Sequence, residues 1–173
     1  IPPAGSAKIL ILDIETAPIK ANVWRIWKEN VGLIQIDKDW YILSFSAKWL
    51  GADRVLYYDQ SKAEDMEDDT ELLMKLHDLL DKADIVVAHN GRRFDVKKIN
   101  ARFVTQGLLP PSPFKIVDTL EIAKAKFAFT SNRLEHLANL LNTEYKKLKH
   151  AKYPGFVLWK GVMRNEWGEW REK

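Results

Sequence analysis

The residues best suited to chemistry in this chain are two carboxylates, Asp13 and Glu15, at the end of an apolar run over residues 8–14. Alternate side chains of a β-strand point to the same face, so both acids should share one face of a strand. Burying such charges costs roughly several kcal/mol per ion unless a cation compensates them. Mg²⁺ or Mn²⁺ would do so, because both ions favour oxygen ligands. The alternative is that both carboxylates reach solvent beyond the strand end.

A second candidate group follows a later apolar strand. The segment over residues 89–95 (HNGRRFD) opens a helix, and Asp95 lies in its first turn, where the helix dipole favours an anion. Because the carboxyl ends of parallel strands meet at one edge of a sheet, Asp95 should lie near Asp13. Three carboxylates there could hold two metal ions about 3.5–4 Å apart, an arrangement suited to phosphoryl chemistry. The alternatives are ordinary first-turn placement for Asp95 and a turn role for Asn90.

The elements that must position these acids are predicted from hydrophobic periodicity. Strands are predicted over residues 8–14, 40–50, 54–58, 84–88 and 115–117. Helices are predicted over residues 69–83, 94–106, 118–126, 131–141, 156–164 and 166–173. The first strand is apolar on both faces, which is typical of a strand covered on both sides. The order predicts an α/β fold, with a mixed sheet of three antiparallel strands and further parallel strands flanked by helices.

In this order and spacing, the motifs resemble those of a known family. Residues 13–16 (DIET) look like the first motif of the DEDD, or DnaQ-like, 3′–5′ exonucleases of the ribonuclease-H-like superfamily. Asn90-x-x-x-Phe94-Asp95 looks like the second motif, and residues 118–120 resemble the strand-to-helix step that follows. The likeness covers roughly residues 8–173 and is strongest with predicted phage and bacterial exonucleases that share the helix-rich ending containing residues 147–156.

The resemblance implies a ribonuclease-H-like fold and a two-metal hydrolysis of phosphodiester bonds at nucleic-acid 3′ ends, with DNA preferred. Asp13 would bridge two Mg²⁺ or Mn²⁺ ions, Glu15 would hold the ion that activates water, and Asp95 would hold the second ion. We predict substrate contacts by Thr16, His89, Asn90, Arg92 and Phe94. A structural role for His89 and a solvated turn for Arg92 are the alternatives.

One part of the family pattern is absent from these 173 residues. The family has a fourth carboxylate, an Asp preceded by a Tyr or His that acts as general base, and the sequence contains no Asp after Asp118. We expect the missing motif to follow Lys173, so that the chain is truncated. If Lys173 is the true end, the site should be nearly inactive. Asp118 itself could support the metals or cap its helix, and we expect the cap.

Charge is unevenly distributed along the chain. Residues 119–173 carry 11 basic and 6 acidic side chains, a net charge of +5, whereas residues 1–118 carry 16 and 18, a net charge of −2. Four lysines lie between Tyr145 and Tyr153 and could contact a nucleic-acid strand: Lys146, Lys147, Lys149 and Lys152. A solvated basic surface is the alternative.

Length and composition limit the classes of protein to consider. At 173 residues and 46% hydrophobic, the chain fits one domain over residues 8–173, after a leader or artificially added segment over residues 1–7. The absence of cysteine fits a reducing cytoplasm, bacterial or that of a phage-infected host. We expect a monomer without a membrane segment, with single-stranded or 3′-ended nucleic acid as partner and a replication or polymerase context. A ribonuclease of the same family and a non-catalytic nucleic-acid-binding module are the alternatives.

Overall fold

A computed structural model describes residues 5–141 and 155–164 of the chain. The strands in chain order are β1 (Ile9–Thr16), β2 (Lys20–Ala21), β3 (Ile36–Lys38), β4 (Ile42–Trp49), β5 (Leu56–Asp59), β6 (Ile85–Ala88) and β7 (Lys115–Asp118). The helices are α1 (Thr70–Asp81), α2 (Asp95–Thr105), α3 (Thr119–Lys126), α4 (Leu134–Leu141) and α5 (Phe156–Met163). Across these residues, no helix is long and apolar enough to cross a lipid bilayer.

The main sheet has five strands in the order β5-β4-β1-β6-β7. Strand β1 pairs antiparallel with β4, and β4 pairs antiparallel with β5. On its other side β1 pairs parallel with β6, and β6 pairs parallel with β7. The predicted fold class, an antiparallel meander joined to parallel strands and flanked by helices, is confirmed. Gly51, with φ of 83°, supplies the left-handed turn between β4 and β5.

The main core lies on one face of β1. Leu10, Leu12 and Ile14 pack there against buried side chains of α1 and α2. The prediction that β1 is covered on both faces is wrong for the described part of the chain, since Ile11 on the opposite face is 40% exposed. The reason is that α1 and α2 both pack against the face that holds Leu12. The opposite face carries the two acids and remains open.

Residues 17–39 contain an element that periodicity did not predict. Strands β2 and β3 form a separate two-stranded sheet, in which Lys20 lies opposite Lys38. Two like charges at directly opposed positions repel each other. Glu67 compensates them, with one carboxylate oxygen 3.2 Å from Lys20 Nζ and the other 2.5 Å from Lys38 Nζ. Strands of two and three residues are too short to leave a periodic signal.

A buried ion pair joins α1, α2 and β4. Asp69, at the start of α1, is fully buried and accepts hydrogen bonds from Arg102 Nη2 at 2.6 Å and from Ile42 N at 2.8 Å. The guanidinium also donates through Nε at 2.9 Å, so the pair is bidentate. This contact positions α2, which carries Asp95, relative to the sheet.

Candidate functional site

The two acids of β1 lie on the same face, as predicted. Asp13 is opposite Ser46 of β4, and Glu15 is opposite Ser44. Both acids are exposed, whereas Leu12, which precedes Asp13, and Ile14, which lies between the two acids, are buried on the other face. The pairing register with β4 shifts directly after Glu15, where the strand ends. The carboxylates therefore stand at the carboxyl end of the central strand.

Asp95 reaches the same end of the sheet from α2. Its side chain is only 3% exposed, and Oδ1 accepts a hydrogen bond of 3.1 Å from the backbone N of Ile14, the residue between Asp13 and Glu15. Burial raises the pKa of Asp95 to about 6, and the charge of Asp13 adds to that rise. The hydrogen bond from Ile14 opposes it. Placing negative charge here is thus costly unless a cation is present.

The donor chemistry fits a hard divalent cation, because Asp13, Glu15 and Asp95 offer only carboxylate oxygens. A cation would also relieve the cost of ionising Asp95. Within residues 5–141 and 155–164, however, no three His, Asp or Glu side chains are grouped as a metal-binding cluster. The assignment of all three as metal ligands therefore stays a prediction.

The turn between β6 and α2 depends on two residues. Asn90 adopts a left-handed conformation with φ of 70°, which asparagine tolerates better than most residues. A Cβ on Gly91 would collide with the Ala88 methyl group, so this position requires glycine. The Asn90 carbonyl accepts a hydrogen bond of 2.9 Å from Phe94 N, which leads the chain into α2. The alternative of a turn role for Asn90 is therefore observed, and its contact with substrate stays a prediction.

Asp118 caps α3, as expected. Its carboxylate accepts hydrogen bonds from the backbone N atoms of Leu120 at 3.0 Å, Asn90 at 2.9 Å and Arg92 at 3.1 Å. Burial alone would raise the pKa of Asp118, but these bonds, with one from Glu121 N, outweigh it and hold the pKa below its usual range. One carboxylate therefore holds the β6–α2 turn against the start of α3.

His89 and Arg92 both make contacts within the protein. His89 Nδ1 lies 2.9 Å from Thr119 Oγ1, and its Nε2 lies 3.0 Å from the carbonyl oxygen of Asn132. Arg92 Nε lies 3.1 Å from Glu121 Oε2, and its Nη2 donates to the Ile116 carbonyl. These are structural contacts at the edge of the site, and the substrate roles of both residues stay predictions.

The other predicted contact residues divide into two groups. Thr16 forms the last pair between β1 and β4, opposite Ile42. Phe94 is 38% exposed at the start of α2. Their substrate contacts are not tested by this geometry. The predicted nucleic-acid contacts at Lys146, Lys147, Lys149 and Lys152 lie outside the described residues.

Two adjoining cavities meet at His89, the first against the open face of the sheet and the second beside α3 and the start of α4. The first, of about 370 Å³, is lined by residues that include Ile11, Asp13 and His89. The second, of about 600 Å³, shares His89 with the first and includes the basic side chains of Lys124 and Arg133 in its lining. A polyanionic strand that entered the second cavity would meet the cations of Lys124 and Arg133 together with the acid of Glu135, a net charge of +1.

A cation–aromatic group that the sequence did not predict lies in the first turns of α2. Lys98 Nζ lies 3.5 Å from the centre of the Trp40 ring and 5.9 Å from the centre of the Phe94 ring. Burial lowers the pKa of Lys98, and the charge of Asp39 opposes that shift. The spacing of four residues between Phe94 and Lys98 on a helix was an available signal, because such residues share a face. The contact with Trp40 is long-range and left no signal in the sequence.

Comparison with known proteins identifies related sequences and folds. A family profile described as the RNase_H superfamily matches residues 10–169. Over 164 residues the chain is 28% identical to a DNA polymerase III PolC-type of Ureaplasma parvum serovar 3 (strain ATCC 700970), a match that covers 88% of this chain. The match covers only 11% of that protein, so the chain spans about a tenth of the length of its curated relative.

A solved structure shares the fold. The family B DNA polymerase from the hyperthermophilic archaeon Pyrobaculum calidifontis superposes with a TM-score of 0.61 and 11% identity. The match covers 93% of this chain and 22% of the polymerase chain. At this identity the likeness concerns the fold alone.

Proposed function

The chain belongs to the RNase_H superfamily, and from that membership we propose that it is a divalent-metal-dependent 3′–5′ exonuclease with DNA as its preferred substrate. Membership and the polymerase relative together support the broader class, a nuclease that hydrolyses phosphodiester bonds. The 3′–5′ direction and the preference for DNA rest on the resemblance of residues 13–16 and 90–95 to the exonuclease motifs.

One observation carries the proposal. The backbone N between Asp13 and Glu15 donates to the buried carboxylate of Asp95, at 3.1 Å. A catalytic carboxylate set needs acids from different elements held at one place, and this bond joins the carboxyl end of β1 to the first turn of α2. The raised pKa of Asp95, about 6, also supports the proposal, because strongly shifted pKa values are common at functional sites.

In the proposed reaction the oxygen of a water molecule bonds to the terminal phosphorus as the P–O3′ bond breaks, which releases a nucleoside monophosphate. Asp13, Glu15 and Asp95 would hold two divalent ions. Nucleases with a ribonuclease-H-like fold generally use divalent metals, which stabilise the charge on the attacking and leaving oxygens. The fold shields Asp95 from solvent and holds its carboxylate through the hydrogen bond from Ile14 N. Asp13 and Glu15 are exposed, so that a nucleic-acid strand could approach them.

Lys98 is our candidate for contact with a substrate phosphate. It lies one turn beyond Asp95 on α2, and its ammonium group lies over Trp40. A cation on the helix that carries Asp95 would offset the repulsion of a phosphodiester by the proposed site acids. We also propose that the enzyme works in a polymerase context, since the curated relative is a DNA polymerase.

The test is digestion of 5′-labelled single-stranded DNA and RNA with Mn²⁺, by the 173-residue chain and by a form extended to the natural stop codon of its gene, because these 173 residues lack the fourth carboxylate of the family pattern. With the extended form we expect a ladder that shortens from the 3′ end, faster with DNA, and abolished by Asp13→Asn or Asp95→Asn. Asp53→Asn is the matched control, because Asp53 is an exposed acid in the β4–β5 turn at the opposite end of the sheet. Faster cleavage of RNA would favour a ribonuclease of the same family.

A second candidate is a non-catalytic nucleic-acid-binding module. It is favoured by the finding that no three acids within the described residues are grouped to hold a metal. This candidate predicts binding of the labelled strand without cleavage, and no change in thermal stability on addition of Mn²⁺. Those two results together would overturn the exonuclease proposal.

A further inference from the structure

The connection between β2 and β3 exposes large apolar side chains to solvent. We call residues 22–34 the tryptophan loop, because Trp24 is 94% exposed and Trp27 is 80% exposed. Tryptophan side chains are normally buried in cores and interfaces, so two highly exposed indoles nine and twelve residues after Glu15 need an explanation. An exposed apolar patch of this kind indicates a surface for a binding partner or ligand.

The tryptophan loop is held in place by its own polar contacts. The carboxylate of Glu29 accepts hydrogen bonds from the backbone N of Trp24 at 3.2 Å and of Arg25 at 2.6 Å. The Gln35 amide donates to Glu29 at 2.9 Å and to the Asn22 carbonyl at 3.0 Å. These bonds hold the pKa of Glu29 below its usual range, with the Gln35 contact contributing most. The indoles are therefore presented on an ordered backbone.

Positive charge alternates with the indoles. Arg25 follows Trp24 and Lys28 follows Trp27, whereas the acid of the loop, Glu29, is turned inward to the backbone. Alternating cations and aromatic rings are the surface that single strands use, with phosphates on the cations and bases on the rings. A purely apolar partner would gain nothing from Arg25 and Lys28.

The tryptophan loop also stands at the correct end of the sheet. Strand β2 begins four residues after Thr16, and β3 leads back to Ile42, the residue that pairs with Thr16. Strands β2 and β3, which lead into and out of the loop, therefore both lie near the carboxyl end of β1. The chain from Glu15 to Trp24 can span at most about 32 Å, so a strand of several nucleotides could touch both places.

We propose that the tryptophan loop binds single-stranded nucleic acid, with bases stacked on Trp24 and Trp27 and phosphates at Arg25 and Lys28. The inference rests on the proposed function in one respect, that the bound nucleic acid leads to Asp13 and Glu15 at the carboxyl end of β1. Glu29 is a positioning residue, which acts through the backbone of Trp24 and Arg25.

The most exposed aliphatic side chains of the loop, Ile26, Leu33 and Ile34, provide the internal comparison. Stacking of bases would depend on the indoles and spare the aliphatic groups. A protein partner would bury both kinds of side chain. Substitution of each kind separately distinguishes the two.

The experiment is titration of the chain with a 5′-labelled oligothymidylate and its RNA counterpart in the presence of a chelator, followed by anisotropy and by quenching of tryptophan fluorescence. We expect Trp24→Ala/Trp27→Ala to weaken binding by about 30-fold or more and to remove most of the quenching. Ile26→Ala/Ile34→Ala should bind like the unmodified chain. Arg25→Gln/Lys28→Gln should reduce the slope of log affinity against log salt by about 1.4.

Two results would overturn the proposal: unchanged binding by Trp24→Ala/Trp27→Ala, or an equal loss with Ile26→Ala/Ile34→Ala. Unchanged thermal unfolding of each variant verifies the fold, and none of these exposed side chains supports the core. Because the chelator prevents metal-dependent cleavage, the result does not depend on nuclease activity. If the form extended to the natural stop codon binds through the indoles but neither cleaves nor is stabilised by Mn²⁺, the exonuclease proposal is refuted and this proposal still holds.

Discussion

The carboxylate of Asp95, a proposed metal ligand, is buried at the carboxyl end of β1, and its burial affects the stability of the fold. Its pKa is raised from 3.8 to about 6, chiefly by burial. The unfolded chain releases this proton near pH 4, and the folded chain holds it to higher pH. Between those values the folded state therefore loses stability as the pH rises, and the loss is complete above about pH 7.

Asp95→Asn is expected to stabilise the metal-free chain. The asparagine carbonyl can still accept from Ile14 N, and the cost of a buried charge disappears. At pH 8 in a chelator, the free energy of unfolding in urea should rise by about 1–3 kcal/mol, and this gain should vanish below pH 4. Mn²⁺ should raise the melting temperature of the unmodified chain and have no such effect on the variant. Equal stabilisation of both proteins by Mn²⁺ would remove Asp95 from the proposed ligands.

Asp118 shows the opposite behaviour, since its pKa lies below the ordinary 3.8. Its stabilising effect is present above about pH 4 and is lost as the pH falls through the lowered folded-state pKa. We expect Asp118→Ala to cost about 1–3 kcal/mol at pH 7, through loss of a helix cap and of the bonds to the β6–α2 turn. Urea unfolding at pH 7 and pH 3 measures the difference, which should shrink at the lower pH. Asp53→Ala should show no such pattern.

At the scale of elements, the position of α2 depends on the Asp69–Arg102 pair. Asp69 is fully buried, and the Arg102 side chain is 13% exposed. Removing the guanidinium leaves a buried charge without its partner, which costs about 3–5 kcal/mol. We therefore expect Arg102→Met to be strongly destabilised in urea unfolding, although methionine fills much of the same space.

The matched variant is Asp69→Asn/Arg102→Met, which removes both charges. It should recover a large part of the stability lost in Arg102→Met, because the desolvation penalty disappears with the carboxylate. No recovery would mean that the hydrogen bond from Ile42 N to Asp69, and not the ion pair, stabilises this junction.

At the scale of the whole molecule, the distribution of charge should govern strand binding. The acids at the carboxyl end of β1 repel a phosphate backbone unless cations neutralise them. In a chelator, Asp13→Asn/Glu15→Gln should therefore raise the affinity for single-stranded DNA several-fold, an effect that salt should reduce. Anisotropy titrations at two salt concentrations measure it, with Asp53→Asn as the control. A lack of change would place the bound strand away from these acids.

Much of the fold could be predicted from local patterns. Apolar runs and turn residues located β1, β4–β7 and α1–α5 to within a few residues, because the pattern that specifies each of them is local. The helix predicted over residues 166–173 lies outside the described residues. The β2–β3 sheet was not predicted, since its strands are too short for a pattern. The exposed face of β1 was not predicted either, because the apolar Ile11 does not reveal which helices lie over it.

The sequence by itself determined which residues could do chemistry: Asp13 and Glu15 share a face because strands alternate, and Asp95 opens a helix because it follows the Asn90–Phe94 turn. Only the tertiary structure decided that Asp13 and Glu15 are exposed to solvent and that Asp95 is buried. The raised pKa of Asp95, the bond from Ile14 N and the Lys98–Trp40 contact all join residues far apart in the chain. Such effects arise from desolvation and from distance in space, which the order of residues does not specify.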